Sequence, residues 1–201
     1  MNTVVSIAVS AVIGYLLGSI NSSLIIGRFY GVDVRNHGSG NAGVTNTLRT
    51  LGKTAALLVL TGDILKGILS CLIGHYIAGE IGTIAAGAFA IIGHNWPLYF
   101  GFKGGKGVLT SFAVIAYIDW KMALIALGAF IIIVSITRYV SLGSIAGAVI
   151  LPVVTILSVR GIEFIVFTIV LGLLVIIKHR SNIERLIKGT ETKLGEKTKN
   201  R

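Results

Sequence analysis

No charged residue occurs in the first 27 positions of this chain. Residues 4–26 make a run long enough to cross a bilayer, because about 20 helical residues at about 1.5 Å each cover about 30 Å of hydrocarbon. The run has no positively charged start, and its apolar stretch exceeds the roughly 7–15 residues of a cleaved secretion signal, so it reads as a retained helix. Six further apolar segments follow, at 54–77, 81–100, 108–117, 122–136, 142–159 and 164–177. Only 13% of the 201 residues are charged, and the mean hydropathy is +0.87. A water-soluble enzyme, a disordered tail and a coiled coil are excluded on that balance. The alternation of a membrane β-barrel is absent as well. The fold class expected is an all-α integral membrane protein with seven transmembrane helices.

Charge sets the expected orientation. With the N-terminus outside, the segments 27–53, 101–107, 137–141 and 178–201 share the inner side and hold 15 of the 18 basic residues. The outer loops hold only Lys121 and Arg160, beside Glu80, Asp119 and Glu163. Positive charge collects on the cytoplasmic side, so the C-terminus is expected there. The same rule accounts for the net charge of +10 without nucleic acid as a partner. Segment 108–117 spans only if its helix begins within 104–107 and runs on to Trp120; a re-entrant pair is the alternative for 108–136. Residues 1–188 are expected to form one membrane-embedded domain, and 189–201 a polar basic tail without fixed structure. Cys71 stands alone in an apolar run, so no disulfide framework or cysteine metal site is expected.

Polar residues inside such a chain cost energy, and four inner segments carry them. The first runs from Arg35 to Arg49 and contains Gly38, Ser39, Gly40, Asn41, Gly43, Thr45 and Asn46. Glycines let backbone N–H groups converge on an anion, and Arg49 offers a planar fork suited to phosphate. A helix opening at Val44 would place Thr45 and Arg49, four apart, on one face. The second segment holds Lys103, Gly104, Gly105, Lys106 and Gly107. It is not a nucleotide-binding P-loop, since Phe100 stands where the first glycine belongs and Gly107 where Ser or Thr belongs. It remains an anion cradle ahead of a helix N-terminus. The third segment carries Arg138 and Ser144, the latter a helix cap or a group facing the site. The fourth carries His179, Arg180 and Asn182 at the inner end of the last helix. Asp63 and Lys66, three apart, read as a structural ion pair, and His75, His94 and Asn95 as packing or interfacial residues. Together the four segments describe a site for phosphorylated ligands at the membrane surface. No carboxylate cluster for a divalent metal and no Gly-x-Ser-x-Gly elbow is evident.

Three of these motifs, Gly38-Ser39-Gly40-Asn41-Ala42-Gly43-x-Thr45-Asn46, Gly101-Phe102-Lys103-Gly104-Gly105-Lys106-Gly107 and His179-Arg180-x-Asn182-Ile183-x-Arg185, stand in an order that resembles the bacterial acyl-phosphate:glycerol-3-phosphate acyltransferase family. The resemblance implies an enzyme of the bacterial cytoplasmic membrane, its site facing the cytoplasm. It would move a fatty acyl group from acyl phosphate to the 1-hydroxyl of sn-glycerol 3-phosphate, giving lysophosphatidic acid and phosphate. By analogy Ser39, Thr45, Arg49, Gly104, Gly105 and Lys106 clamp phosphates, and Ser144, His179 and Asn182 match further polar positions of the family's site. Ser39, Lys106 and His179 are the candidate catalytic residues. Acyl phosphate is a mixed anhydride with a good leaving group, so no covalent enzyme nucleophile is needed. The base is His179 or a substrate phosphate oxygen. No cofactor or metal is expected, whereas membrane lipids and a soluble enzyme that makes acyl phosphate are expected partners. A small transporter or channel for phosphorylated anions is the competing reading; it calls for polar residues through to the outer side, where the loops are short.

Overall fold

The computed structural model describes residues 2–196, which are helical with connecting turns and contain no strand. They fall into two compact units, 2–118 and 119–196.

The first unit opens with α1 (Thr3–Gly18) and α2 (Ser22–Phe29). The single helix expected over 4–26 is therefore broken. Asn21 is the cause: its side chain accepts a hydrogen bond from the Leu24 backbone N–H at 3.1 Å and starts a new helix. After a short turn at Val34–Asn36 come α3 (Val44–Leu51) and α4 (Lys53–Asn95). The 43-residue α4 is two helices run together across Ala78 and Gly79, whose backbones are non-helical. Gly79 has φ +60°, a left-handed value that a side chain disfavours. The two limbs fold back on each other, with Gly74 against Gly82 and Cys71 beside Gly87. The expected separation of 54–77 from 81–100 thus holds, but the second limb stops at Asn95, ahead of Pro97 and a short turn at Leu98–Phe100.

The last helix of this unit, α5 (Val108–Ile118), has 11 residues. It covers about 16 Å, roughly half a bilayer core. Residues 104–107 are not helical, so the extension that would lengthen α5 is absent. Asp119 stops the run-on to Trp120, because its carboxylate accepts from the backbone N–H groups of Lys121 and Met122 and caps the next helix.

Packing in the first unit is inside-out compared with a soluble protein. On α1, Ser6, Ser10, Gly14 and Gly18 are buried at every fourth position, while Val4, Val5, Val9, Val12 and Leu16 are exposed. The small residues let α1 lie directly on the second limb of α4: a β-carbon at Gly14 or Gly18 would collide with the Ala86 or Ala90 carbonyl. The Ser10 hydroxyl donates to the Ser6 carbonyl at 2.8 Å, the local solution available in hydrocarbon. On α4 the buried face carries Asp63, Lys66, Ser70 and His94, and the exposed face Leu57, Leu58, Leu65, Leu69 and Leu72. An apolar exterior over polar interior contacts suits lipid as the solvent.

The second unit contains α6 (Trp120–Thr137), α7 (Val140–Leu157), α8 (Ile162–Lys178) and α9 (Arg180–Ile187). Within it α6 packs on α7 and α7 on α8. Asp119 pairs with Arg160. Helices α8 and α9 meet at a 57° bend at His179. By length and apolarity four helical stretches can cross a membrane, Thr3–Phe29, Lys53–Phe100, Trp120–Thr137 and Val140–Leu157, and the bent pair α8–α9 makes a fifth. The chain is a multi-pass membrane protein.

Candidate active site

In the first unit the two glycine motifs are built on each other. Asn46, 1% exposed, organises the first. Its Oδ1 accepts the Ser39 N–H at 2.8 Å, and its Nδ2 donates to the carbonyls of Val34 (2.9 Å) and His37 (3.0 Å). Both ends of this amide hold the loop in shape. Gly38 is needed there, since it has φ +59° and a β-carbon would run into Asn46 Oδ1. The loop leads into α3 at Val44, as the sequence suggests, with Gly43 at its N-cap. Thr45 and Arg49 stand one turn apart on that helix, both half-buried, and Ser39 is exposed on the loop. Thr47 Oγ1 lies 2.7 Å from Ser23 Oγ, which anchors α3 to α2.

Arg35 joins the two motifs. Asp33 holds its guanidinium through contacts of 2.7–3.1 Å, and its Nη1 donates to the carbonyls of Phe100 (3.0 Å) and Lys103 (3.3 Å). The Arg35 hydrogen bond holds the Asp33 carboxyl below the usual carboxylate range. In the second motif Gly105 is buried and wedged between the His94 ring and the Ala42 carbonyl, with no room for a side chain. Its N–H donates to the His94 carbonyl at 3.1 Å. Gly107, φ +74°, lies against Asn95, and α5 starts at the following residue. Two helix N-termini, α3 and α5, therefore follow directly on glycine loops, the local arrangement that favours anions.

The expected Asp63–Lys66 pair is present, at 2.9 Å between Lys66 Nζ and Asp63 Oδ1. Its environment was not foreseen. Lys66 Nζ also donates to the Ile20 carbonyl (3.1 Å) and lies 2.8 Å from His94 Nδ1, and Ser22 donates to Asp63 Oδ1 at 3.0 Å.

In the second unit the polar residues converge on Glu191. Its Oε1 accepts from Ser141 Oγ and Asn182 Nδ2, and its Oε2 from Arg185 Nε, each at 2.7 Å. Burial would raise this carboxyl, but the hydrogen bonds from Asn182, Ser141 and Arg185 outweigh it and hold it below its ordinary value. Leu194 exchanges hydrogen bonds with Arg138 in both directions, so residues 191–194 of the expected tail are fixed on this unit; 197–201 lie outside the described residues. His179 is 3% exposed, and its Nδ1 lies 2.8 Å from the Val175 carbonyl. A carbonyl only accepts, so a proton sits on Nδ1, and in the neutral ring Nε2 carries the lone pair. Arg180 is exposed one residue on. Ser144 is not a cap: α7 starts at Val140, four residues earlier, and the Ser144 hydroxyl donates to the Val140 carbonyl at 2.9 Å.

A family model described as glycerol-3-phosphate acyltransferase matches residues 8–189. The chain belongs to that family. A relative of the same description from Thermoanaerobacter sp. (strain X514) is 44% identical over 190 residues, covering 94% of this chain and 96% of the relative. One from Clostridioides difficile (strain 630) is 45% identical over 199 residues, covering 96% and 97%. The crystal structure of PlsY (YgiH), an integral membrane glycerol 3-phosphate acyltransferase, in its glycerol 3-phosphate form superposes with a TM-score of 0.90 at 38% identity, covering 94% of this chain and 96% of that one. Its lysophosphatidic acid form gives a TM-score of 0.87 at 36% identity. The chain is therefore of the PlsY type, as its three motifs suggest.

Within this family member, sequence reasoning missed three supports: Arg35, His94 and Glu191. Arg35 had a signal in the Asp33-x-Arg35 spacing within a turn. Glu191 had little, being one acid in a basic tail. His94 had none beyond lying 11 residues before Gly105.

Proposed function

We propose that this protein transfers a fatty acyl group from acyl phosphate to the 1-hydroxyl of sn-glycerol 3-phosphate. The carrying observation is the match, along nearly the whole chain, to a structure whose two forms hold that acceptor and the acylated product. The hydroxyl oxygen attacks the acyl carbon, the bond from that carbon to the phosphate oxygen breaks, and inorganic phosphate leaves. The hydroxyl proton passes to a substrate phosphate oxygen or to His179 Nε2. Both substrates carry phosphate, which calls for pre-organised amides and cations rather than a nucleophile.

The residue roles proposed are those the three motifs suggest, with the local geometry in support. Ser39, Thr45 and Arg49, with the backbone N–H groups of Gly38 and Asn41, bind one phosphate; Gly40 and Gly43 give their N–H groups to the His37 and Asn41 carbonyls and shape the loop. Lys106, Lys103 and the backbone N–H groups of Gly104 and Gly107 bind the other, whereas Gly105 gives its N–H to the His94 carbonyl and shapes the loop. Asn46 shapes the first loop rather than donating to a ligand, as its amide is engaged by that loop. On the second unit, Ser144, His179, Arg180 and Asn182 are the substrate contacts proposed. We infer seven crossings, with the N-terminus outside and the C-terminus inside, because the basic residues divide that way. Helix α5 lacks the extension expected of it and counts as a short crossing, because α6 is long enough to span while the basic residues before α5 and after α6 fall on one side. The location inferred is the bacterial cytoplasmic membrane with the site on the cytoplasmic side. A soluble enzyme that forms acyl phosphate would then supply the donor.

Direct attack has a specific signature. Purified protein incubated with acyl phosphate alone is expected to gain no acyl mass by intact-protein mass spectrometry and to show no phosphate burst. Adding glycerol 3-phosphate releases phosphate and lysophosphatidic acid in equal amounts. A burst stoichiometric with protein, together with an acyl adduct, would refute the direct route.

A further inference from the structure

The buried group formed by Asp63, Lys66 and His94 lies outside the residues given a ligand role above, yet it ends on the second glycine loop. Lys66 is 5% exposed and an ammonium has three protons to donate. Three acceptors surround it: Asp63 Oδ1 at 2.9 Å, the Ile20 carbonyl at 3.1 Å and His94 Nδ1 at 2.8 Å. His94 Nδ1 lies 2.8 Å from the ammonium and 3.7 Å from Asp63 Oδ1, so its closer partner is a donor; an N–H there would set two donors against each other, and Nδ1 is assigned as the unprotonated nitrogen. The ring proton is therefore on Nε2. That edge of the ring faces Gly105, where a β-carbon would strike it, and the ring and the Ala42 carbonyl hold Gly105 between them. The His94 carbonyl accepts the Gly105 N–H as well. One residue thus grips the loop through both its backbone and its ring, and the Asp63–Lys66 pair fixes which nitrogen of that ring is the donor.

We propose that His94 is a positioning residue for the anion-binding segment 104–107, with Asp63 and Lys66 setting its tautomer. The inference rests on the proposed function for the class of anion, and of the two phosphates it assigns the one on glycerol 3-phosphate to this segment. A histidine that only fills space would serve in either tautomer; the role proposed here needs the Nε2–H edge turned toward Gly105 and the Ala42 carbonyl.

His94→Asn and His94→Gln separate the two nitrogens. The shorter amide keeps a polar atom near the Nδ1 position and falls short of the loop; the longer one reaches the Nε2 position with an N–H. Glycerol 3-phosphate binding to the detergent-solubilised protein is measured by calorimetry, with steady-state turnover in parallel. His94→Asn is expected to raise Kd and KM for glycerol 3-phosphate about tenfold, with kcat changed by less than about threefold, and His94→Gln to stay within about threefold of wild type throughout. Equal Kd values for the two variants, whether tight or weak, would overturn the proposal. If His94→Asn does not fold, the double variant Asp63→Asn with Lys66→Met carries the test. It frees the tautomer and should weaken binding in the same direction; an unchanged Kd would overturn the proposal. Wild-type protein that binds glycerol 3-phosphate without turning over would refute the enzymatic reading and leave the binding comparison standing. Wild-type protein that does not bind it would overturn the proposal too.

Discussion

Replacing Arg49 with Ala is expected to lower kcat/KM by about a hundredfold, with the protein still folded. A hydrogen bond to a charged group contributes about 1.5–3 kcal/mol, and each 1.4 kcal/mol is about tenfold in rate. The fork of Arg49 can make two such bonds to one phosphate. Arg49→Lys should recover only part of the loss, since an ammonium supplies the charge but not the planar pair of donors. The fold should survive because α3 is anchored elsewhere, by Asn46 in the loop and by Thr47 against Ser23. Steady-state kinetics in both substrates, with a thermal unfolding scan, checks this. An unchanged kcat/KM would remove Arg49 from the site.

Asp63→Ala is expected to be the most destabilising single change in the first unit. Asp63 is 1% exposed, and it balances a buried lysine 2.9 Å away. Removing one partner of a buried pair costs about 3–5 kcal/mol because the other charge is left without compensation. Replacing both, as Asp63→Leu with Lys66→Met, should cost less than the single change, although it releases His94. The unfolding midpoint in detergent measures the difference. A single variant within about 1 kcal/mol of wild type would contradict the buried-charge account.

How much of this was legible depends on the range of the interaction involved. The helices were, because unbroken apolar runs and their flanking charges are local facts: Glu80 marks the turn between the limbs of α4, whereas the stop of the second limb ahead of Pro97 was read through to residue 100. The glycine motifs were legible too, since a loop holding Gly38, Gly40 and Gly43 among Ser, Asn and Thr has a purpose other than slack. The break at Ser19–Asn21 was not, because nothing in an uncharged run shows that Asn21 will turn its side chain onto Leu24. The stop at Asp119 was overlooked for a similar reason. Read as an outer-side charge, it acts as a helix cap. The least legible parts are side chains joined across the chain. Arg35 reaches Phe100, Lys66 reaches His94, and Ser141 reaches Glu191. Each begins from an ordinary polar side chain in sequence, and only the folded backbone brings its partner, a side chain or a carbonyl, within reach. The same holds for Asn46, whose residue type fits a ligand contact and whose hydrogen bonds go to its own loop.

The central claim is that two phosphate-bearing molecules are held by glycine loops and basic side chains and react with each other. Phosphate release by the purified protein, given acyl phosphate with and without glycerol 3-phosphate, tests it most directly. The account predicts release that depends on both molecules and is matched one for one by lysophosphatidic acid, with no other protein added. Release at the same rate without glycerol 3-phosphate, or no acylated product when both are present, would contradict it.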